Sequence, residues 1–200
     1  PGVGGGFGPK AFSYPEEFVV PWAAMRVGRP VKWIEDRIEH IQTTYQEREQ
    51  VHEVEVGYDE EGRILALRDR GGFDTGAYVP WGAVVPYLSM TNIPGPYRIQ
   101  HFDAAMEVVY THRVPVTPVR GAGRPQSAFI MERVIERIAD RLGLDSVAVR
   151  RKNFIQPEEF PYEIGILARD GTPMIYDNGD YPVLMNMALE AAAYEDFRNG

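Results

Sequence analysis

The sequence contains no cysteine. Disulfides, thiolate zinc sites and cysteine-ligated iron–sulfur clusters are therefore excluded within these 200 residues. The absence fits a reducing compartment, and a cytoplasmic location is expected. Long apolar runs are missing as well. None approaches the ~20 residues needed to span a bilayer, and no charged-then-apolar leader is present, so no membrane role is expected. Positive charge is scarce: 21 Lys and Arg stand against 29 Asp and Glu, a net charge of −8. A general nucleic-acid binder needs clustered Lys and Arg for phosphate contacts, so nucleic acid is not an expected partner. The acidic residues are scattered, as on a soluble surface. His40, His52, His101 and His112 show no metal-ligand spacing, and no His-Glu-x-x-His, Ser-His-Asp or Gly-x-Ser-x-Gly signature occurs.

Enough apolar residues are present, 44% of the chain, to bury a core. Residues 1–10 read as a glycine-rich loop. Phe18, Val19, Trp22, Ala23 and Val27 have helical spacing over Pro15 to Val27, with Pro21 as the discordant residue. Val31 to Ile34 reads as a short strand, and Asp36 as the cap of a short helix through Ile41. Gln50 to Tyr58 and Ile64 to Arg70 flank the turn Asp59-Glu60-Glu61-Gly62, the pattern of a hairpin. Residues 71–97 read as a long ordered loop with a short helix. Arg98 to Val114 reads as one or two strands. Gln126 to Leu142 is the clearest helix, with Met131, Ile135, Ile138 and Leu142 on one stripe and Gly143 closing it. Asp145 caps a helix from Ser146 to Asn153. Residues 156–181 are loop-rich, and Tyr181 to Tyr194 is a last amphipathic helix. Strands and helices do not alternate strictly. The fold class is therefore α+β, a mixed α/β chain rather than a doubly wound parallel sheet.

Two glycine loops carry the chemistry. In Gly4-Gly5-Gly6-Phe7-Gly8-Pro9-Lys10, the missing side chains let backbone N–H groups approach a ligand and bind an oxyanion or a metal-bound oxygen. The loop is not a P-loop, since Pro9 precedes Lys10 and Ala11 follows it. It lacks the third glycine of a dinucleotide fingerprint. Read without a ligand, it is a flexible linker. Arg120-Gly121-Ala122-Gly123-Arg124-Pro125-Gln126 follows a strand candidate and opens the best helix. Unpaired N–H groups, a partial positive charge and two arginines make it an anion site. Its bland alternative is a tight strand–helix connection.

The ordered set of motifs resembles the large subunits of molybdenum hydroxylases, the xanthine dehydrogenase/aldehyde oxidase family. Both glycine loops are similar to the family's cofactor loops. Pro30-Val31-Lys32-Trp33-Ile34-Glu35-Asp36-Arg37, Arg151-Lys152-Asn153-Phe154 and Tyr176-Asp177-Asn178-Gly179-Asp180-Tyr181 resemble further family segments in the same order. The resemblance implies that residues 1–200 are a fragment of a molybdopterin-binding domain, with cofactor loops at 4–10 and 119–126. It implies a molybdenum–molybdopterin cofactor, the cytosine dinucleotide form being one option, that hydroxylates a carbon with water. Gly6, Phe7 and Gly8 would lie against an oxo ligand of the metal. Arg120, Gly121, Ala122 and Gly123 would border the molybdenum and the pterin, with Arg120 as the catalytic residue. The chain's own side chains would supply no metal ligand.

Departures from the family narrow the expectation. Gly121 stands where copper-containing carbon monoxide dehydrogenases have cysteine. Ala11 and Ala122 stand where xanthine-oxidising members have glutamate and phenylalanine. An aldehyde or N-heterocycle is therefore the expected small-molecule substrate. The resemblance puts a general-base glutamate beyond Gly200 and a glutamine loop before Pro1, so a piece of a longer chain, inactive alone, is expected. Two-iron clusters and FAD would sit on partner subunits or domains. Much of the cofactor and partner interface should then be exposed. The aromatics Phe73, Tyr78, Trp81 and Tyr87 either line a substrate funnel or pack. The rival reading is a non-catalytic anion- or protein-binding module.

Overall fold

The computed structural model describes residues 4–79, 81 and 83–199. The first three residues of the expected glycine loop lie outside the described residues. Helix α1 spans Pro15–Val27. Pro15 opens it, Glu16 and Glu17 face the positive end of its dipole, and Gly28 closes it at φ 65°. Pro21 sits inside it all the same, since a single missing backbone bond does not end a helix so well defined at both ends. Helix α2 spans Arg37–Thr43, with Asp36 and Glu39 forming a reciprocal capping box.

Strands β1 (Gln50–Tyr58) and β2 (Ile64–Asp74) form the expected antiparallel hairpin. Helix α3 (Val84–Thr91) then carries the chain across to β3 (His101–Val109). Strand β3 pairs with β2 in parallel, so the order is β1-β2-β3 in one mixed sheet. The long segment 71–97 is therefore less of a loop than its glycines and prolines imply. Its start continues β2, and its middle is α3.

Helix α4 (Arg124–Leu142) lies against this sheet. Met131, Ile135 and Ile138 are buried among Ile64, Leu67, Ile93 and Tyr97, and Leu142 packs at the margin. Each such aliphatic side chain contributes roughly 1.5–3 kcal/mol when fully buried. Helix α5 (Ser146–Asn153), capped by Asp145, folds back on α4. Arg150 bridges the two helices, with Nε 2.9 Å from Glu132 and Nη2 2.7 Å from Glu136.

Three expectations are corrected. Val31 to Ile34 is not a strand. Among the described residues no segment takes up its backbone groups, and Val31, Trp33 and Ile34 are exposed, so an extended stretch with β-prone residues remains unpaired there. The loop-rich stretch 156–181 contains the antiparallel pair β4 (Tyr162–Leu167) and β5 (Pro173–Tyr176). These strands are short, and Gly165 and Pro173 within them mask the alternation. The last expected helix is two: α6 (Tyr181–Ala191) and α7 (Tyr194–Asn199), separated at Ala193, whose φ is 46°.

Asn153 ties α5 to the β1–β2 turn. Its side-chain oxygen accepts from the Ile64 N–H at 2.8 Å, and its amide donates to the carbonyls of Gly62 at 2.9 Å and Val149 at 2.8 Å. The residue is 1% exposed. Asn153→Ala should therefore lower unfolding free energy by about 2–3 kcal/mol through orphaned backbone groups. Urea titration would show a reduced midpoint at unchanged slope; an unchanged midpoint would contradict the account.

Candidate cofactor-binding site

The first glycine loop is a tight bend. Gly5, Phe7 and Gly8 all have positive φ, at 113°, 51° and 106°, and the Phe7 ring folds back over Gly5. The second loop carries the same feature for three residues in succession: Gly121 at 106°, Ala122 at 44° and Gly123 at 87°. The Ala122 N–H donates to Val119 O at 2.7 Å, and the Arg124 N–H to Gly121 O at 3.1 Å, closing the bend just before α4 begins.

The two loops meet. The Arg120 N–H donates to the Phe7 carbonyl at 2.7 Å. Gly8 lies over Pro118 so closely that a Cβ there would stand 1.8 Å from the Pro118 carbonyl oxygen. Only a residue without a side chain permits that approach. All the expected site residues are thus brought together: Gly6, Phe7 and Gly8 on one bend, and Arg120, Gly121, Ala122 and Gly123 on the other.

Beneath the second loop lies a residue with no motif to announce it. The Glu47 side chain is fully buried. Its carboxylate accepts from the Val119 N–H and the Gly123 N–H, both at 3.0 Å. Burial pushes the Glu47 carboxyl above its usual range, with Arg48 and the two N–H groups pulling the other way. Arg48 pairs with Glu47 at 2.5 Å and donates to the Arg120 carbonyl at 2.6 Å. Its own φ is 94°, a strained value for a side-chain-bearing residue that persists only where surroundings enforce it.

The far end of the loop rests on α3 and the sheet. A Cβ at Gly123 would fall 2.6 Å from both Ser89 N and Val85 O. The Ser127 hydroxyl donates toward Ser89 O at 2.5 Å. The Gln50 amide donates to the Ser89 hydroxyl at 2.8 Å, and its oxygen lies 2.9 Å from His52 Nε2. His52 in turn is paired through Nδ1 with the buried Asp69 carboxylate at 3.0 Å. His52 is accordingly part of the scaffold. Among the described residues no three His, Cys, Asp or Glu side chains are grouped to hold a metal. Of the middle aromatics, Phe73 packs in the core, Trp81 meets Phe12 edge-on at 5.6 Å, and Tyr87 donates to Leu167 O at 2.6 Å. Tyr78 is exposed.

What the loops offer a ligand is specific. The N–H groups of Phe7, Gly8 and Gly121 meet no acceptor among the described residues. Added Cβ atoms at Gly4 and Gly6 would meet open space, so the backbone there can be approached closely. The guanidinium groups of Arg120 and Arg124 are exposed and meet no carboxylate among the described residues. Backbone N–H and guanidinium donors suit an oxygen-rich anionic group, not a bare cation. The residues present therefore fit the oxygen and phosphate atoms of a molybdopterin.

Comparison with known proteins gives the same answer. Residues 1–154 match the model of the molybdopterin cofactor-binding domain. The chain belongs to that family. It is 36% identical over 197 residues to the 6-hydroxypseudooxynicotine dehydrogenase complex subunit gamma of Paenarthrobacter nicotinovorans, covering 98% of this chain and 25% of the relative. It is 36% identical over 206 residues to the carbon monoxide dehydrogenase large chain of Afipia carboxidovorans, covering 99% and 24%. Among solved structures, quinoline 2-oxidoreductase from Pseudomonas putida 86 superposes with a TM-score of 0.85 at 35% identity, covering 100% of this chain and 25% of that one. This molybdopterin-domain chain thus spans about a quarter of the length of the relatives it matches.

The loop contact is testable in isolation from chemistry. Gly8→Ala forces the loops apart and should cost about 2–3 kcal/mol of stability, the scale of an overpacked contact. Gly4→Ala, with open space at its Cβ, should leave the unfolding midpoint within about 1 °C of wild type. Equal effects of the two substitutions would mean that the close approach at Pro118 is not a constraint.

Proposed function

We propose that this chain forms part of the molybdopterin-binding subunit of a molybdenum hydroxylase, an oxidoreductase that oxidises an aldehyde or an N-heterocycle with water as oxygen source. The observation that carries the reading is the junction of the two loops: side-chain-poor bends 112 residues apart (Gly8 to Arg120) share a direct backbone bond and leave N–H donors unpaired. The likeness to quinoline 2-oxidoreductase favours an N-heterocycle among the substrate classes. The reading of all 200 residues as part of one such domain is supported by the full-length superposition.

When bound, the cofactor supplies the oxidation and carries the electrons away. This chain's residues position and polarise. The Phe7, Gly8 and Gly121 N–H groups donate to the cofactor's oxygen atoms, and the Gly6 backbone leaves room for them. Arg120 places a permanent positive charge beside the negative charge that grows in the transition state. Ala122 and Gly123 hold the bend that aims these donors. With no cysteine, the chain cannot hold an iron–sulfur cluster of the all-cysteine type. Two-iron clusters, and FAD, belong on partner subunits or domains, and the remainder of the subunit completes the site. Helix α1, which buries none of its residues and exposes Phe18, Trp22 and Met25, is where such packing is available. One option for the cofactor is its cytosine dinucleotide form.

The test is Arg120→Ala in the intact enzyme. Turnover should fall about 100-fold, the size of losing one transition-state donor, while the unfolding midpoint stays put because the Arg120 side chain is exposed. Undiminished turnover would remove Arg120 from the site. A wild-type enzyme that carries neither molybdenum nor pterin, expressed in a cofactor-competent host, would remove the function.

A further inference from the structure

The Glu47–Arg48 pair belongs to neither glycine loop, yet it touches the second one at Val119, Arg120 and Gly123. One Glu47 oxygen takes the N–H of Val119, and the other takes that of Gly123. Between those anchors lie Arg120, Gly121 and Ala122, the segment that faces the proposed cofactor. A span of five residues with three successive positive φ values has many alternative shapes, because glycine places few limits on its backbone. A carboxylate has two acceptor oxygens at fixed separation, so binding both anchors selects one of those shapes. Arg48 adds a third fixed point at the Arg120 carbonyl.

We propose that Glu47 is a positioning residue for the cofactor, its buried carboxylate setting the curvature of the second loop and so the aim of the Gly121 N–H and the Arg120 side chain. The inference rests on the functional reading above. Charge accounting supports it. A lone carboxylate beneath an anion site would repel the ligand, whereas Glu47 is neutralised by Arg48 at 2.5 Å. The loop therefore keeps its outward positive character while being held from below by a strong acceptor. An ordinary buried cap needs one bond to one N–H. Here two bonds straddle the functional segment, and the adjoining residue holds an unfavourable backbone conformation to complete the clamp.

The experiment uses the intact molybdenum enzyme containing this chain, as wild type and as Glu47→Gln. Glutamine keeps the size but turns one acceptor into a donor that opposes an N–H. Amide hydrogen exchange in peptides covering 119–123 should rise about tenfold, while peptides from β1, β2 and the centre of α4 keep wild-type rates. Turnover per bound molybdenum should fall about tenfold with KM unchanged, the signature of a lost transition-state alignment. Wild-type exchange over 119–123, a rise spread evenly over the chain, or undiminished turnover per molybdenum would each overturn the proposal. Should Glu47→Gln not accumulate, wild type decides. In wild type expressed without cofactor, where no ligand protects the Gly121 N–H, the Val119 and Gly123 amides should exchange at least about 100-fold more slowly than that of Gly121, and equal rates would overturn it. Molybdenum and pterin content of the wild type is measured in parallel. Their absence defeats the functional reading, while the exchange data still judge the clamp.

Discussion

One backbone hydrogen bond, from the Arg120 N–H to the Phe7 carbonyl, joins the two halves of the site. The surrounding structure supplies what that bond requires. Gly8 must lack a side chain so that Pro118 can approach. Gly123 must lack one so that α3 can lie beneath the start of α4. The parallel placement of β3 beside β2 returns the chain to the position from which residues 110–123 reach the first loop. Moving any of these pieces by one side chain's width separates the two loops.

The electrostatics follow from the same geometry. An acidic chain, with a net charge of −8, would disfavour an anionic cofactor if its charge were spread evenly. It is not. At the second loop the buried carboxylate of Glu47 is matched by Arg48, while Arg120 and Arg124 remain unmatched by any carboxylate among the described residues. The outward face of that loop is locally positive within an acidic molecule. Over the few ångströms of a direct contact, local donors outweigh distant charge, which salt screens beyond about 10 Å.

Much of this was legible in the sequence, for identifiable reasons. The elements with strong local signals appeared where expected. These were the capped helices α2 and α5, the striped helix α4, and the hairpin around Gly62. The loops were visible because glycine clusters, positive-φ bends and helix starts leave a residue-level trace. What stayed hidden depended on partners distant in sequence. Val31 to Ile34 has strand-prone residues but no strand to pair with among the described residues. The β4–β5 pair is interrupted by Gly165 and Pro173. Glu47 carries no signature at all, because its role is defined by N–H groups 72 and 76 residues further along. A run reading Gln46-Glu47-Arg48-Glu49 resembles any solvated surface stretch. Only coordinates distinguish the one carboxylate that points inward.

Backbone and side chains divide the labour at the two loops. The unpaired donors at the junction are backbone N–H groups, whose chemistry is the same whatever the residue. Side-chain identity matters one layer further back, at the positions that must be small (Gly8, Gly123) and at those that must be charged and buried (Glu47, Asp69). His52, Gln50 and Ser89 carry the Asp69 carboxylate's orientation through to the helix that supports Gly123. The second loop is thus held from two sides by the buried carboxylates of Glu47 and Asp69. A site built this way separates specificity from support: substitutions at the exposed loop residues alter what the donors and the adjoining charge can accept, whereas substitutions beneath the loop alter whether they converge.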